Sequence, residues 1–138
     1  MSSIVPISLL ILFIGFSTAF EPFRPDPSFQ KMSVIVKSLE YSLRNNNVEA
    51  VAHRFDDEFS FKSCDGTYGK VDFIRSLLAL PMDPSFYFQL KRSVSSWNRT
   101  INIRVEVFGI NGMPFSIYLR WSHAMKFTSG YMDNCRRF

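Results

Sequence analysis

The sequence has few of the residues that build metal and nucleophile sites. It contains two histidines and two cysteines among 138 residues. His53 and His123 could meet in space, but a site built on them lacks an identified third ligand. The acids at 56–58 are consecutive, so they do not converge on one ion. No glycine-rich phosphate loop occurs, and no serine has the setting of a nucleophile. We therefore predict no metal, no cofactor and no identified catalytic residue.

A stretch long enough to span a membrane is also missing. The uncharged apolar block from Ile4 to Phe16 is shorter than the roughly 20 residues that a bilayer requires. It has the length of a signal-peptide core and is followed by the small residues Ser17 to Ala19, although no Lys or Arg precedes it. We expect residues 1–19 to be a signal peptide cleaved after Ala19. The mature protein would then be secreted, with no membrane span.

Blocks of like charge are absent as well. The formal net charge is +4 and the isoelectric point is near 9.3, but the basic residues are scattered. Lys91-Arg92 and Arg136-Arg137 are the only tight basic pairs. This pattern favours a solvated surface over a nucleic-acid face, so we expect no nucleic-acid partner. Adhesion to acidic extracellular surfaces stays open.

Two further features fit an exported chain. Cys64 and Cys135 would meet an oxidising compartment, so we predict one disulfide. Closing a loop of about 70 residues stabilises the fold by roughly 4 kcal/mol on the chain-entropy model. Asp65 argues against a catalytic thiol, because a neighbouring carboxylate disfavours the thiolate form of a cysteine. Asn98, in the triplet Asn98-Arg99-Thr100, is a glycosylation acceptor between two strand-like runs.

The N-terminal half of the mature chain has a helical period. Three prolines mark residues 20–27 as an extended lead. After it, apolar residues recur every three or four positions, which predicts helices over about 28–43, 48–55 and 70–80, with Asn47 as a cap of the second. The first stripe comprises Phe29, Met32, Ile35, Val36, Leu39 and Leu43; the second, Val48, Val51, Ala52 and Phe55; the third, Val71, Ile74, Leu77 and Leu78.

The C-terminal half has the period of two that is typical of strands. A short strand at 59–62 precedes the third helix, and alternating runs at 86–91, 101–107 and 115–122 follow it. Asn111-Gly112 is the favoured signal for a two-residue hairpin between the last two runs. A final strand is expected from about Tyr131 through Cys135.

The order of these elements resembles the nuclear transport factor 2-like superfamily, whose relatives include ketosteroid isomerases, scytalone dehydratase and SnoaL-type cyclases. Three stretches carry the likeness: "VEAVAHRFDDEFSF", "DGTYGKVDFI" and "NRTINIRVEVFGINGMPFSIYLRW". The resemblance implies an α+β fold in which three N-terminal helices pack in the concave face of a curved, mostly antiparallel sheet. Residues 28–138 would form this single domain, a cone-shaped roll.

The resemblance also implies where an enzyme of this type would hold its base. In ketosteroid isomerases an aspartate follows the paired acids, and the matching position here is Lys62, or Ser63 after a slip of one residue. Neither side chain is that carboxylate base. Tyr41 could supply a hydroxyl to an oxyanion, but its direction does not follow from its spacing. The sequence thus favours a member that is not an enzyme.

Aromatic residues make up 16% of the chain. Most must build the core, and five side chains are our candidates for the walls of an apolar pocket: Phe59, Phe61, Tyr68, Trp121 and His123. We expect a noncatalytic domain that binds a small apolar ligand or a protein partner through a cone-shaped pocket. The alternatives are an isomerase or dehydratase of the same fold, and a homodimer that pairs through an outer sheet face bearing Tyr87 and Tyr118.

Overall fold

A computed structural model describes residues 26–110 and 112–133. The predicted signal peptide (1–19), residues 20–25 of the predicted lead, and Cys135 lie outside the described residues. Three helices and six strands occur in the described part of the chain. The helices are α1 (Ser28–Arg44), α2 (Val48–His53) and α3 (Lys70–Leu78). The strands are β1 (Phe55–Ser63), β2 (Gly66–Gly69), β3 (Met82–Ser95), β4 (Ile101–Ile110), β5 (Phe115–Trp121) and β6 (Phe127–Tyr131).

The strands form one curved, unclosed sheet in the order β2-β1-β6-β5-β4-β3. All neighbouring pairs are antiparallel except β1 and β6, which run parallel. Helices α1 and α3 pack against this sheet, α1 on β3 and α3 on β1. The predicted α+β class, with helices in the concave face of a mostly antiparallel sheet, is confirmed.

Each helix has a local cause. The apolar stripe of α1 buries Met32, Val36 and Leu39 against the sheet, and the helix stops at Arg44, two residues before Asn46 takes a positive φ of 55°. Helix α2 is capped as predicted, because Asn47 Oδ1 accepts a hydrogen bond from the Ala50 N–H at 3.2 Å.

Hydrogen bonds fix α1 to the edge strand β3 at two levels. Asp26 accepts hydrogen bonds from the Ser28 N–H at 2.9 Å and from the Ser95 hydroxyl at 2.7 Å, which links the start of α1 to the end of β3. Toward the C-terminal end of α1, Glu40 Oε1 accepts from the Phe88 N–H at 2.6 Å. These links hold the helix across the concave face.

Several boundaries differ from the sequence prediction. Helix α2 ends at His53 rather than near Phe55, because Phe55 opens β1 and pairs with Phe127 of β6. Residues Gly66 to Gly69, for which no strand was predicted, form the short strand β2, which pairs with β1. The last strand lies at Phe127–Tyr131, earlier than the predicted range of Tyr131 to Cys135. In each case long-range pairing overrides a local pattern.

Candidate functional site

The interior of the cone is filled by a cluster of aromatic rings. Phe73 projects from α3 and its ring centroid lies 5.5 Å from that of Phe55, 5.0 Å from Phe59 and 4.5 Å from Phe61. All four rings are buried. Such contacts contribute to stability beyond the area they bury. Helix α3 is therefore held against β1 by aromatic packing in the interior of the cone.

The cavity left beside this cluster is very small. It has a volume of about 10 Å³ and is lined only by apolar side chains, among them Leu43, Phe73 and Phe86. This is about the space that one water molecule occupies. No titratable side chain lines it. This cavity is too small for an organic ligand, and its lining includes no group that handles protons.

Three of the five predicted pocket residues lie in the solid core. Phe59, Phe61 and Trp121 are at most 2% exposed. The Trp121 ring packs edge-on against Phe127, with the centroids 4.8 Å apart. None of the three lines the small interior cavity. The alternation in the sequence placed them correctly on the inward face, but there they pack against other core side chains.

The other two are not part of the buried core, although Tyr68 packs against it. Tyr68 is half-buried on β2, and its hydroxyl donates to Asp65 Oδ2 at 2.7 Å. This hydrogen bond to a carboxylate raises the pKa of Tyr68. His123 is exposed in the turn after β5, because the strand ends at Trp121 and the alternation does not continue. His123 is therefore not a pocket wall as predicted, and the five residues do not converge.

The acids near the predicted base position form local contacts instead. Lys70 hydrogen-bonds to exposed Asp57 at 3.0 Å and lowers the pKa of that carboxyl. Lys62 is exposed, and the buried Ser63 hydroxyl donates to Asp65. Tyr41 is 72% exposed, so it faces solvent. Within residues 26–110 and 112–133, no three His, Cys, Asp or Glu side chains are grouped to hold a metal ion.

The predicted glycosylation acceptor is accessible. Asn98 is exposed in the turn between β3 and β4, where its Oδ1 accepts from the Thr100 hydroxyl at 2.7 Å. Arg99 between them has a positive φ of 64°, which makes the turn tight. An exposed turn of this kind leaves room for a glycan. None of the helices in the described ranges has the length and apolar character needed to cross a bilayer.

The outer sheet face carries an open groove of about 460 Å³ across β3, β4, β5 and β6. Its prominent side chains are three arginines, Arg92, Arg104 and Arg120, and two tyrosines, Tyr118 and Tyr131. The alternation of β4 and β5 could have indicated that these residues point outward. Their alignment across strands depends on register, which the sequence did not supply.

Comparison with known families settles the classification. The model of the NTF2-like domain matches residues 29–137, which is most of the chain. The chain belongs to the NTF2-like family. This confirms the resemblance drawn from the order of helices and strands. None of the curated proteins is similar to this NTF2-like chain in sequence.

Solved structures agree with the NTF2-like fold. An NTF2-like protein of unknown function from Cytophaga hutchinsonii has a TM-score of 0.52 and 13% identity, covering 80% of this chain and 91% of its own. A protein proposed to be a ketosteroid isomerase, from Kribbella flavida, has a TM-score of 0.53 and 8% identity, covering 80% and 84%. A protein proposed to be a polyketide cyclase, from Sinorhizobium meliloti, has a TM-score of 0.51 and 14% identity, covering 70% and 90%. At these identities the likeness extends to the fold alone.

Proposed function

We propose that this NTF2-like chain is an exported, noncatalytic binding domain that acts through its surface. The observation that carries the proposal is the filled interior, where a cavity of about 10 Å³ remains. Pockets for small molecules are commonly 300–1,000 Å³. A ligand inside the cone would have to displace several buried aromatic rings, and losing one buried Phe from its packing costs about 3–5 kcal/mol. This weighs against the small apolar ligand that the sequence suggested.

The alternative is an isomerase or cyclase, which the names of the Kribbella and Sinorhizobium proteins suggest. Such an enzyme needs a base and hydrogen-bond donors around its substrate. Lys62 and Ser63 stand where the base aspartate would be, and the small interior cavity has no polar lining side chain. A noncatalytic role therefore agrees better with the described residues than an enzymatic one.

Fluorescence of the buried tryptophan tests whether the interior is closed. Trp97 is 97% exposed whereas Trp121 is buried, so Trp97→Phe leaves one core reporter. We expect that titration of this variant with a steroid or with a fatty acid leaves the Trp121 emission unchanged. A saturable change at a 1:1 ratio would overturn the proposal. Phe73→Ala in the same background is the matched control, since it opens space beside the ring cluster.

Export is part of the proposal, and with it we infer a disulfide between Cys64 and Cys135. Cys64 lies in the turn after β1. Strand β6 runs parallel to β1, and the Met132 N–H donates to the Lys62 carbonyl at 3.0 Å. The described chain ends at residue 133, two residues before Cys135, and its last strand runs toward the turn that contains Cys64.

Mass spectrometry of the secreted full chain tests these features together. We expect a mature protein beginning at Phe20, a gain of two hydrogens on reduction, and a loss of mass on enzymatic removal of N-linked glycan. Asn98→Gln should abolish that last change. Retention of the full chain inside the producing cell, with both thiols reduced, would refute export.

A further inference from the structure

The outer groove contains a continuous row of four side chains that crosses four strands. Arg92 of β3 is opposite Arg104 of β4, Arg104 is opposite Tyr118 of β5, and Tyr118 is opposite Tyr131 of β6. Neighbouring strands are about 4.8 Å apart, so the row is about 14 Å long. A groove of this length suits an extended chain molecule.

A second row runs beside the first and adds one more cation. Asn102 of β4 is opposite Arg120 of β5, which is opposite Ser129 of β6. Arg120 Nε donates to Asn102 Oδ1 at 3.2 Å. This contact orients the guanidinium and leaves its two terminal nitrogens available to a ligand.

Among residues 26–110 and 112–133, no acid forms an ion pair with the arginines of this groove. The ion pairs formed by described residues involve other cations, and the carboxylate of Glu106 on β4 is 3.3 Å from Lys91. The lining of the groove contains three arginines and no carboxylate. Arg92 and Arg104 are directly opposed, an arrangement that is unfavourable unless an anion lies between the two charges. The charge of the groove is therefore complementary to an anionic partner.

The two tyrosines restrict the kind of anion. Their rings are parallel within 4° and their centroids are 4.6 Å apart. Side chains on a strand stand roughly perpendicular to the sheet, so each ring covers one face of the other, and the pair presents its edges and hydroxyls to the groove. Single-stranded nucleic acid is bound by stacking bases on open ring faces. Phenolic hydroxyls beside guanidinium groups instead suit a partner with many polar oxygens.

A second copy of the chain fits the groove less well. Pairing two outer sheet faces would bring the three uncompensated arginines of one copy against those of the other, and like charges in an interface are costly. The homodimer that the sequence left open is therefore not the preferred occupant.

We propose that the groove formed by Arg92, Arg104, Arg120, Tyr118 and Tyr131 binds a sulfated polysaccharide. Guanidinium groups form bidentate hydrogen bonds with tetrahedral oxyanions, and all three groove cations are arginines rather than lysines. The tyrosine hydroxyls would bind sulfate or sugar oxygens. The inference rests on the proposed function, because an exported domain that acts through its surface meets such polymers outside the cell.

Binding of the secreted full chain to immobilised heparin tests the groove. The test variant is Arg104→Gln with Arg120→Gln. The control is Lys31→Gln with Arg75→Gln, which removes the same charge from exposed positions on α1 and α3. At about 0.15 M salt we expect the groove variant to bind at least about 10-fold more weakly than the parent. The control should stay within about two-fold, and circular dichroism checks that both variants fold.

Competitors in solution distinguish the sources of negative charge. Heparin should displace the protein at a lower concentration than chemically desulfated heparin or a single-stranded oligonucleotide of equal charge. Tyr118→Phe, which keeps the ring stack and removes one hydroxyl, should weaken heparin binding by a few-fold. Equal weakening by the groove and control variants, or better displacement by the oligonucleotide, would overturn the proposal. The interior titration with Trp121 is independent of these arginines, so the two proposals fail separately.

Discussion

Replacing Phe73 is the most direct test of how the interior is organised. The ring of Phe73 contacts three other buried rings and borders the small residual cavity. Phe73→Ala removes these contacts and leaves a cavity, which costs about 3–5 kcal/mol for a buried Phe. For a domain of this size about 4 °C is lost per kcal/mol, so we expect the midpoint of thermal unfolding to fall by about 12–20 °C.

Urea unfolding followed by circular dichroism gives the free energy directly. Val71→Ala is the matched control, because Val71 is on the same helix and 65% exposed; it should change the free energy of unfolding by less than about 1 kcal/mol. The enlarged cavity is apolar, so Phe73→Ala should also bind a small apolar molecule such as benzene. A loss below about 1.5 kcal/mol for Phe73→Ala would refute the reasoning, because the ring cluster would then not hold α3 to the sheet.

Three further predictions concern the backbone, pH and redox state. Gly109 and Gly112 both have positive φ, but a Cβ at Gly109 would lie 2.4 Å from the backbone of β3, whereas a Cβ at Gly112 would contact nothing within 4 Å. In urea unfolding, Gly112→Ala should therefore lower the free energy of unfolding by about 1 kcal/mol. Gly109→Ala should lower it by at least about 3 kcal/mol. Hydrogen bonds from serines hold the pKa of Asp26 well below its usual value, so its carboxylate stabilises the fold above about pH 4 and this stability is lost as the pH falls toward the lowered pKa. In thermal unfolding, Asp26→Asn should therefore be less stable than the parent at pH 7, and its stability should change less between pH 4 and pH 2. Parallel plots of stability against pH for the variant and the parent would contradict this. Reduction should lower the free energy of unfolding of the parent by about 4 kcal/mol if Cys64 and Cys135 are joined, and should leave Cys64→Ser unchanged.

The helices and most strands could be predicted because their causes are local. The apolar stripe of α1 recurs every three to four residues, and Met32, Val36 and Leu39 from it are buried. The alternation from Ile101 to Val107 likewise marks the inward face of β4. Element order was then enough to indicate the family. The end of α2 and the strand β2 depend on pairing with distant segments, so local patterns did not predict them.

The candidate site depended on two things that periodicity does not contain. Alternation shows that Phe59 and Trp121 face inward, but it does not show whether the space between sheet and helices is empty or filled. That depends on Phe73, which the predicted stripe of α3 omitted and which the fold places among the rings of β1.

The second thing that periodicity does not contain is the strand register, which decides which outward side chains are neighbours. Arg92, Arg104 and Tyr118 are far apart in sequence, and a shift of one residue in any pairing would turn a strand's outward side chains to the core. By itself the sequence determined which side chains of α1 and β4 face the core and which face water, because burial in these two elements follows the local period. Only the tertiary structure decided which of them stand together, because neighbours across a sheet are chosen by pairing between distant segments.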